Sequence, residues 1–168
     1  EESYTYDVFG RMVTHKTNDG RVQYYGYDKN SNVTSYRLGS NQSITYEYNE
    51  LNQLTKLTNN GIITTYEYDA NGNLTKRRAD NGMMTQYSYN KAGLITNTVN
   101  TASGSTIGTG VYVYYLNGAK FNEIGMTRLE NGMRLRQQTY RYDGAGRLIE
   151  NYVGDNYADA VHNQYTYD

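Results

Sequence analysis

The stretch YEYDANGNL, from Tyr66 to Leu74, decides the fold of this chain. Tyr66 and Tyr68 are two residues apart, so their side chains lie on one face of a predicted strand. Asp69 suits the first position of a type I turn, and Gly72 can adopt the left-handed conformation that follows. The stretch therefore predicts a three-residue hairpin loop with a glycine bulge, in which Tyr68 lies opposite Leu74.

The same pattern recurs along the whole chain. Copies begin at Tyr4, Tyr25, Tyr46, Tyr66, Tyr87, Tyr112 and Tyr140, and an eighth begins at Tyr165. The first five starts are 20 or 21 residues apart, and the later ones are 25 to 28 apart. Such a period is typical of one supersecondary unit that is stable only when stacked on its neighbours. We therefore expect residues 1–168 to form a single array of about seven repeats, cut from a longer chain.

Two tyrosines define each repeat, an acidic residue and a glycine follow them in many copies, and we predict a structural role for these residues. They are Tyr4, Tyr6, Asp7 and Gly10 in the first copy and Tyr25, Tyr27 and Asp28 in the second. The third copy has Tyr46 and Tyr48, and the fourth has Tyr66, Tyr68, Asp69 and Gly72. The fifth copy has Tyr87, Tyr89 and Gly93, and the sixth has Tyr112, Tyr114 and Gly118. The seventh has Tyr140, Tyr142, Asp143 and Gly146.

The hairpin register pairs each second tyrosine with an aliphatic residue, which stabilises a sheet by about 0.2–1 kcal/mol relative to an alanine pair. The predicted pairs are Tyr6–Met12, Tyr27–Val33, Tyr48–Leu54, Tyr68–Leu74, Tyr89–Ile95 and Tyr142–Leu148. Tyr4 is expected opposite Thr14. Asp7 and Arg11, like Asp143 and Arg147, are expected to be neighbours on the face opposite the tyrosines.

A second turn, rich in Asn-Gly and Asp-Gly, closes the repeats, because these residues tolerate the positive backbone angles of tight hairpins. Such turns occur at residues 18–20, 59–61, 80–82 and 130–132. Seven repeats then supply about fourteen strands. The predicted fold is all-β, with tandem β-hairpins in a continuous antiparallel sheet that coils or spirals, because so wide a sheet cannot stay flat.

Three stretches interrupt the rhythm and are predicted to be loops or expansions that project from one rim of the sheet. They are residues 100–110, which are rich in Ser, Thr and Gly, residues 121–128, and residues 154–164. Within the last of these, residues 157–162 are compatible with one helical turn. A recognition surface, if present, is expected at this rim, whereas drift in loop length is the simpler explanation.

The composition limits the function. The chain has 21 Tyr and 17 Gly, no Pro, Cys or Trp, and a net charge of −1. Near-neutral charge argues against nucleic-acid or anionic-membrane binding. No apolar run approaches the roughly 20 residues that a membrane helix needs, so membrane insertion is not expected. Without cysteine there is no disulfide or thiolate chemistry. The N-terminus also lacks a signal-peptide pattern.

Motifs for chemistry are few, and we expect no catalytic residue, cofactor or metal. The histidines are His15 and His162, and neither a GxSxG elbow nor a phosphate-binding loop occurs. Asp28 and Asp69 each begin a DxNxN segment that resembles the start of a calcium loop. The position for a bidentate glutamate holds Gly39 or Asp80, and the hairpin turn explains the same residues.

The pattern YxYDxxGxL, repeated about every 21 residues with a central Asn/Asp-Gly, resembles the YD-repeat or Rhs-repeat family over essentially the whole chain. The copies at Tyr46 and Tyr112 depart from it, with Asn49 and Tyr115 where Asp is usual. The resemblance implies a spiral β-sheet shell in a secreted or cell-surface protein, as in bacterial polymorphic and insecticidal toxins, wall-associated proteins and teneurins. It implies as partners the adjacent repeats and a C-terminal effector or core domain. The family's self-cleaving DPxGR-type core has no counterpart here.

Carbohydrate binding is the alternative function. Tyr-rich hairpin repeats with Asn and Asp near their turns also resemble bacterial wall-binding modules, in which exposed rings stack on sugars. Those modules generally rely on Trp, which this chain lacks. A further expectation concerns the sheet edges. An array cut within its motif has unpaired strand edges, so we expect edge-to-edge self-association or closure of the sheet on itself.

Overall fold

A computed structural model shows fifteen β-strands and describes residues 1–40, 42–129, 132–155 and 161–167. The strands of the first four repeats are β1 (Ser3–Tyr6), β2 (Met12–Lys16), β3 (Val22–Tyr27), β4 (Val33–Leu38), β5 (Gln42–Tyr48), β6 (Leu54–Asn59), β7 (Ile62–Tyr68) and β8 (Leu74–Ala79). The remaining strands are β9 (Met83–Tyr89), β10 (Ile95–Ala102), β11 (Ser105–Tyr114), β12 (Lys120–Leu129), β13 (Gly132–Tyr142), β14 (Leu148–Gly154) and β15 (Val161–Gln164).

The strands are hydrogen-bonded in chain order from β1 to β15, so the predicted all-β, continuous antiparallel sheet of tandem hairpins is confirmed. The chain divides into two compact units, and β8 is shared between them. The first comprises Glu1–Gly72 and Arg77–Asn81, and the second comprises Asn73–Lys76 and Gly82–Asp168. Adjacent strands pair antiparallel within each unit, as expected for strands joined by short hairpin connections.

The predicted pairing of the second tyrosine is confirmed in five repeats, and in each the register shifts just before that tyrosine. The paired residues are Tyr6–Met12, Tyr27–Val33, Tyr48–Leu54, Tyr89–Ile95 and Tyr142–Leu148. The prediction that Tyr4 lies opposite Thr14 is wrong. Tyr4 pairs with His15 and Thr5 with Thr14, because the register shifts by one residue at a bulge between Thr5 and Tyr6.

The prediction that residues 100–110 form a loop is also wrong. This stretch continues β10 and β11 through a tight turn at Ser103 and Gly104, both of which have positive φ. Residues 121–128 lie within β12, so neither stretch projects as a loop. Strand pairing satisfies the backbone N–H and C=O groups that a loop would leave to water. Of residues 154–164, Gly154 ends β14 and residues 161–164 form β15. The helical turn predicted at residues 157–162 falls mostly outside the described residues.

The sheet has almost no buried core. Apart from glycines, the buried residues among those described are Ala79, Thr101 and Asn151. The accessible surface is 11504 Å², whereas a compact protein of 19.2 kDa exposes about 8,400 Å². Backbone ladders and cross-strand side-chain pairs therefore stabilise the fold, rather than a packed interior. Over the described ranges, no helix is long and apolar enough to cross a membrane.

Candidate functional site: the contacts between repeats

In every repeat but the sixth, the motif turn is capped by the side chain at the position after the second tyrosine. In the first copy, Asp7 N–H donates to the Arg11 carbonyl, and one Asp7 carboxylate oxygen accepts from the N–H groups of Phe9 and Arg11 at 2.9 and 3.0 Å. Gly10 has a φ of 78° and donates to the Asp7 carbonyl, which matches the predicted loop with a glycine bulge. The equivalent caps in other copies are Asp28, Asn49, Asp69, Asn90 and Asp143.

Hydrogen bonding lowers the pKa of the capping carboxylates. Bonds from the Arg147 backbone and side chain hold the pKa of Asp143 below its ordinary value. The side-chain amide and N–H of Asn32 lower the pKa of Asp28. For Asp7, desolvation acts to raise the pKa, but the bonds from Arg11 and Phe9 outweigh it and the pKa is lowered. Asp7, Asp28 and Asp143 are therefore fully charged near neutral pH.

The turn arginines contact both their own acid and the next repeat. Arg11 forms an ion pair with Asp7 at 2.7 Å, and its guanidinium lies 4.6 Å from the centre of the Tyr27 ring. Arg147 pairs with Asp143 at 2.8 Å and lies 4.8 Å from the Tyr167 ring centre. The predicted neighbours are confirmed. The prediction that they lie on the face opposite the tyrosines is wrong, since both arginines stack on a motif tyrosine.

The second tyrosine of a repeat donates its hydroxyl to a backbone carbonyl of the preceding repeat. Tyr27 donates to the Met12 carbonyl at 2.8 Å, and Tyr48 donates to the Val33 carbonyl at 2.9 Å. In the same way Tyr68 donates to Leu54, Tyr89 to Leu74, Tyr114 to Ile95 and Tyr167 to Leu148, at 2.7 to 2.8 Å. We call these six bonds the tyrosine staples.

The staples lie where the backbone ladder between repeats has ended. β2 begins at Met12, but its pairing with β3 begins at Thr14. β4 begins at Val33 and pairs with β5 from Ser35 onward. The carbonyl that the ladder does not reach is the one that accepts the tyrosine hydroxyl. Each staple thus satisfies a backbone acceptor and extends the connection between consecutive repeats. Burial raises the pKa of Tyr48 and of Tyr68, so both hydroxyls keep their protons.

A second link joins successive turns through the residue that follows the motif glycine. Asn32 donates its amide to the Asn52 side-chain oxygen at 2.7 Å, and Arg11 donates to the Asp28 carbonyl at 2.8 Å and the Ser31 hydroxyl at 3.2 Å. Ser31 and Asn52 occupy the glycine position and have positive φ values of 68° and 60°. Their side chains therefore provide acceptors that glycine lacks.

Sequence reasoning missed these turn-to-turn residues. They occupy position eight of the motif and are Arg11, Asn32, Gln53, Asn73 and Leu94 in the first five copies. Three of them face a glycine in the next turn: Gln53, Asn73 and Leu94 lie against Gly72, Gly93 and Gly118. A comparison of the copies could have found them, because four of the five have an amide or guanidinium side chain at this position.

The sixth repeat departs from this scheme. Tyr115 replaces the capping acid, and its ring packs edge-on against Phe121 and Tyr142, with centres 5.1 and 6.2 Å apart. The cap comes instead from Asn117, whose side-chain oxygen accepts from the Ala119 N–H at 3.0 Å. Leu116 at the turn tip is fully exposed. The turn keeps its backbone path because the glycine position, not the acid, sets the positive φ.

An open concavity of about 360 Å³ lies over β11 and β12 and has a floor of glycine backbone. Gly110 pairs with Gly125 across this floor, and Tyr112 and Glu123 border it. The Glu123 carboxylate pairs with Lys120 at 3.0 Å and accepts from the Tyr140 hydroxyl at 3.4 Å. Burial, followed by the charge of Glu123, raises the pKa of Tyr140. These groups are already partnered.

Each histidine stacks on a tyrosine of the neighbouring strand. His15 stacks on Tyr4 with ring centres 4.5 Å apart, and His162 stacks on Tyr152 at 4.3 Å. Asp28, the start of the first calcium-like segment, uses both carboxylate oxygens to bind Asn30 and Asn32 within its own turn. In the part of the chain that the structure describes, no group of three His, Cys, Asp or Glu side chains could hold a metal ion.

These repeats match a known family. The sequence model of the teneurin YD-shell matches residues 1–106. The chain belongs to the teneurin YD-shell family. Residues 107–168 lie beyond that match, although β11 to β15 continue the same strand order. No curated protein sequence matches the YD-shell chain.

Solved structures similar to the YD-shell chain come from toxin complexes. The TcdB2–TccC3–Cdc42 crystal structure superposes with a TM-score of 0.82 over 97% of this chain, at 17% identity. The Photorhabdus luminescens Tc holotoxin pore gives a TM-score of 0.80 over 97%, also at 17% identity. The YD-shell chain spans 10% and 9% of those chains. The likeness shows a shared fold, and family and fold together identify a structural scaffold of the shell type.

Proposed function

We propose that this YD-shell chain is a non-enzymatic section of a β-sheet shell that encloses or presents an effector within a secreted or cell-surface protein. The observation that carries the proposal is a coreless sheet whose repeats are joined by tyrosine staples. A sheet of this kind separates two aqueous compartments without needing an interior of its own. The family match and the toxin-shell folds support the same function.

The physical basis of the proposal is that the hydrogen bonding of the sheet is nearly complete. Backbone groups within the sheet are paired along the ladders, and the staples occupy carbonyls at the positions where the ladders end. Water and an unfolded polypeptide would otherwise compete for those groups. Polar side chains and half-buried tyrosines keep both faces compatible with water. On this proposal the adjacent repeats and a C-terminal effector of a longer parent chain are the partners, and residues 1–168 are one array.

Carbohydrate binding is not favoured. Six of the second-position tyrosines use their hydroxyls on backbone carbonyls, which makes those hydroxyls unavailable to a sugar. Stacking on a sugar also needs a free ring face, and in two of these tyrosines, Tyr27 and Tyr167, an arginine guanidinium lies over the ring. No observation on the described residues favours a second function over the shell.

Limited proteolysis of the parent protein tests the proposal. The segment enclosed by the shell should resist a nonspecific protease as long as the repeats are folded. Opening the sheet with Tyr→Phe changes at Tyr27, Tyr48 and Tyr68 together should release that segment to cleavage, while the same changes at Tyr46, Tyr66 and Tyr87 should have little effect. Equal cleavage rates of the downstream segment with and without the repeat region would refute enclosure.

A further inference from the structure

The two faces of the sheet differ in polarity in the early repeats. In the first unit, the face that carries the motif tyrosines is the apolar one. The other face is polar, with Thr45 opposite Thr58 and Glu47 paired with Lys56 at 2.8 Å. Such a face is fully compatible with water, and nothing needs to cover it.

Strands β11 to β13 reverse this arrangement. Val111 lies opposite Ile124, and Met126 lies opposite Leu135, on the face away from the motif tyrosines. Val113 follows Val111 on the same side of β11. Val111, Val113, Met126 and Leu135 expose 42%, 45%, 38% and 40% of their surface. We call these four residues and Ile124 the apolar patch.

Both faces of strands β11 and β12 show this reversal. Opposite the patch, the tyrosine-bearing face of β11 and β12 has Gly108, Gly110 and Gly125, which bury little apolar surface. In these strands the aliphatic side chains therefore lie on the face away from the motif tyrosines, which is the polar face in the first unit. Exposed apolar residues that adjoin one another on a polar surface are typical of an interaction site. The whole patch lies in residues 107–168, outside the stretch matched by the shell family.

We propose that the apolar patch is a docking surface for an amphipathic α-helix of another polypeptide, about 11 residues long and with acidic residues beside its apolar stripe. Three strands at about 4.8 Å spacing are about 14 Å wide, and the patch covers five register positions, about 17 Å along the strands. That footprint matches about three turns of one helix, which is about 10 Å across and rises 1.5 Å per residue. The aliphatic side chains of the patch supply contacts for the i, i+3, i+4 and i+7 residues of the helix.

A second copy of this chain fits the patch less well. A footprint of about 14 by 17 Å covers about 240 Å², whereas a stable protein dimer buries about 800 Å² per partner. A single helix needs no larger surface than the patch provides. The size of the patch therefore favours one small element over a sheet-to-sheet dimer.

The charge around the patch indicates the polar face of the partner. Arg128 and Arg141 are on the same face as the patch, at either end of it, and both are exposed. Arg141 pairs with Glu150 at 2.7 Å, and Arg128 has no acidic partner among the described residues. A helix with glutamates beside its apolar stripe complements this basic rim, and a lysine-bearing helix is repelled.

A fluorescently labelled peptide tests the proposal directly. The probe is a 14-residue helix with leucines at i, i+3, i+4 and i+7 and glutamates on its polar face. Fluorescence anisotropy should show saturable binding of this peptide to the chain. A scrambled peptide of the same composition should bind at least tenfold more weakly, and so should a version with lysines in place of glutamates. Equal binding of the scrambled peptide would refute recognition of an amphipathic helix.

Variants then locate the site. Val111→Thr combined with Ile124→Thr keeps two β-branched residues and should weaken binding at least tenfold. Ile62→Thr changes an equally exposed aliphatic residue outside the patch and should leave affinity unchanged. Methyl NMR shifts of Val111, Val113 and Leu135 upon peptide addition provide a readout that needs no variant. Unchanged methyl shifts would overturn the proposal. It would also be overturned if sedimentation showed that the chain forms a dimer, that Ile124→Thr dissociates this dimer and that the peptide does not.

Discussion

Each stapling tyrosine has two separable roles. Its ring covers aliphatic side chains on one face of the sheet, and its hydroxyl satisfies a carbonyl of the preceding repeat. Tyr66 and Tyr68 in the fourth copy separate the two roles. Both rings are half-buried, but Tyr68 donates to the Leu54 carbonyl at 2.8 Å, whereas the Tyr66 hydroxyl has no partner among the described residues.

The Tyr68 hydroxyl should therefore contribute to stability where that of Tyr66 does not. Tyr68→Phe should lower the free energy of unfolding by about 1 kcal/mol, because it removes a hydrogen bond and leaves its acceptor unsatisfied. Tyr66→Phe should change it by less than about 0.3 kcal/mol. Tyr68→Ala should cost about 2 kcal/mol, since the ring is only half-buried. Urea unfolding measures all three. Equal values for the two Phe variants would show that the staple contributes nothing.

The capping acids predict a dependence on pH. Asp28 has a lowered pKa in the folded chain, so its contribution is present above the unfolded value, near 3.9, and is lost as the pH falls through the folded pKa. Asn49 and Asn90 cap the same N–H groups without a titrating carboxyl. Asp28→Asn should therefore lose less stability than the unchanged chain between pH 7 and about pH 2.5. The comparison is made by urea unfolding at the two pH values, and identical losses would contradict it.

At the level of single strands and turns, the sequence predicted the regular hairpins well. The period-two tyrosines and the turn residues are local signals, and they determine the bulge and the register that follows it. The extended strands β10 to β13 could not be predicted in this way. Ser, Thr and Gly around Gly104 are typical of loops, and only pairing with neighbouring strands turns them into a ladder. The staple acceptors were also unpredictable, since a backbone carbonyl leaves no mark on the sequence.

The glycines of the long strands are predicted to differ in their tolerance of a side chain. A Cβ at Gly110 would come within 2.7 Å of both the Thr98 hydroxyl and the Tyr112 hydroxyl, whereas at Gly125 the nearest atoms are 3.9 Å away. Gly110→Ala should destabilise the chain by about 1–3 kcal/mol through overpacking. Gly125→Ala should be neutral or stabilise it by up to about 1 kcal/mol, because alanine loses less backbone entropy. Thermal unfolding of the pair checks this, and similar effects would show that the two sites are equally crowded.

On the scale of the whole molecule, β1 is an outer strand of the sheet and has one neighbouring strand, β2. Its four residues are exposed, and an unpaired strand edge is a template for another chain. The isolated chain should therefore associate edge to edge with rising concentration. Sedimentation over a hundredfold concentration range should show this. A strictly monomeric chain would argue against free edges.

A charge on the edge strand should suppress that association. Tyr6→Lys places a lysine on β1, where it opposes pairing with another chain. Leu51→Lys adds the same charge at an exposed turn tip and should leave association unchanged. If both variants behave alike, net charge rather than the edge governs the association.

A protein without a packed interior should respond weakly to temperature. The heat-capacity change of unfolding scales with the apolar surface newly hydrated, and an ordinary globular chain of this length has about 2.0–2.5 kcal/mol/K. This chain already exposes 11504 Å² when folded, so its value should lie clearly below that range. Its stability curve should then be unusually flat, with little loss on cooling. Scanning calorimetry would measure both, and such a sheet would keep its stability over a wide range of temperature.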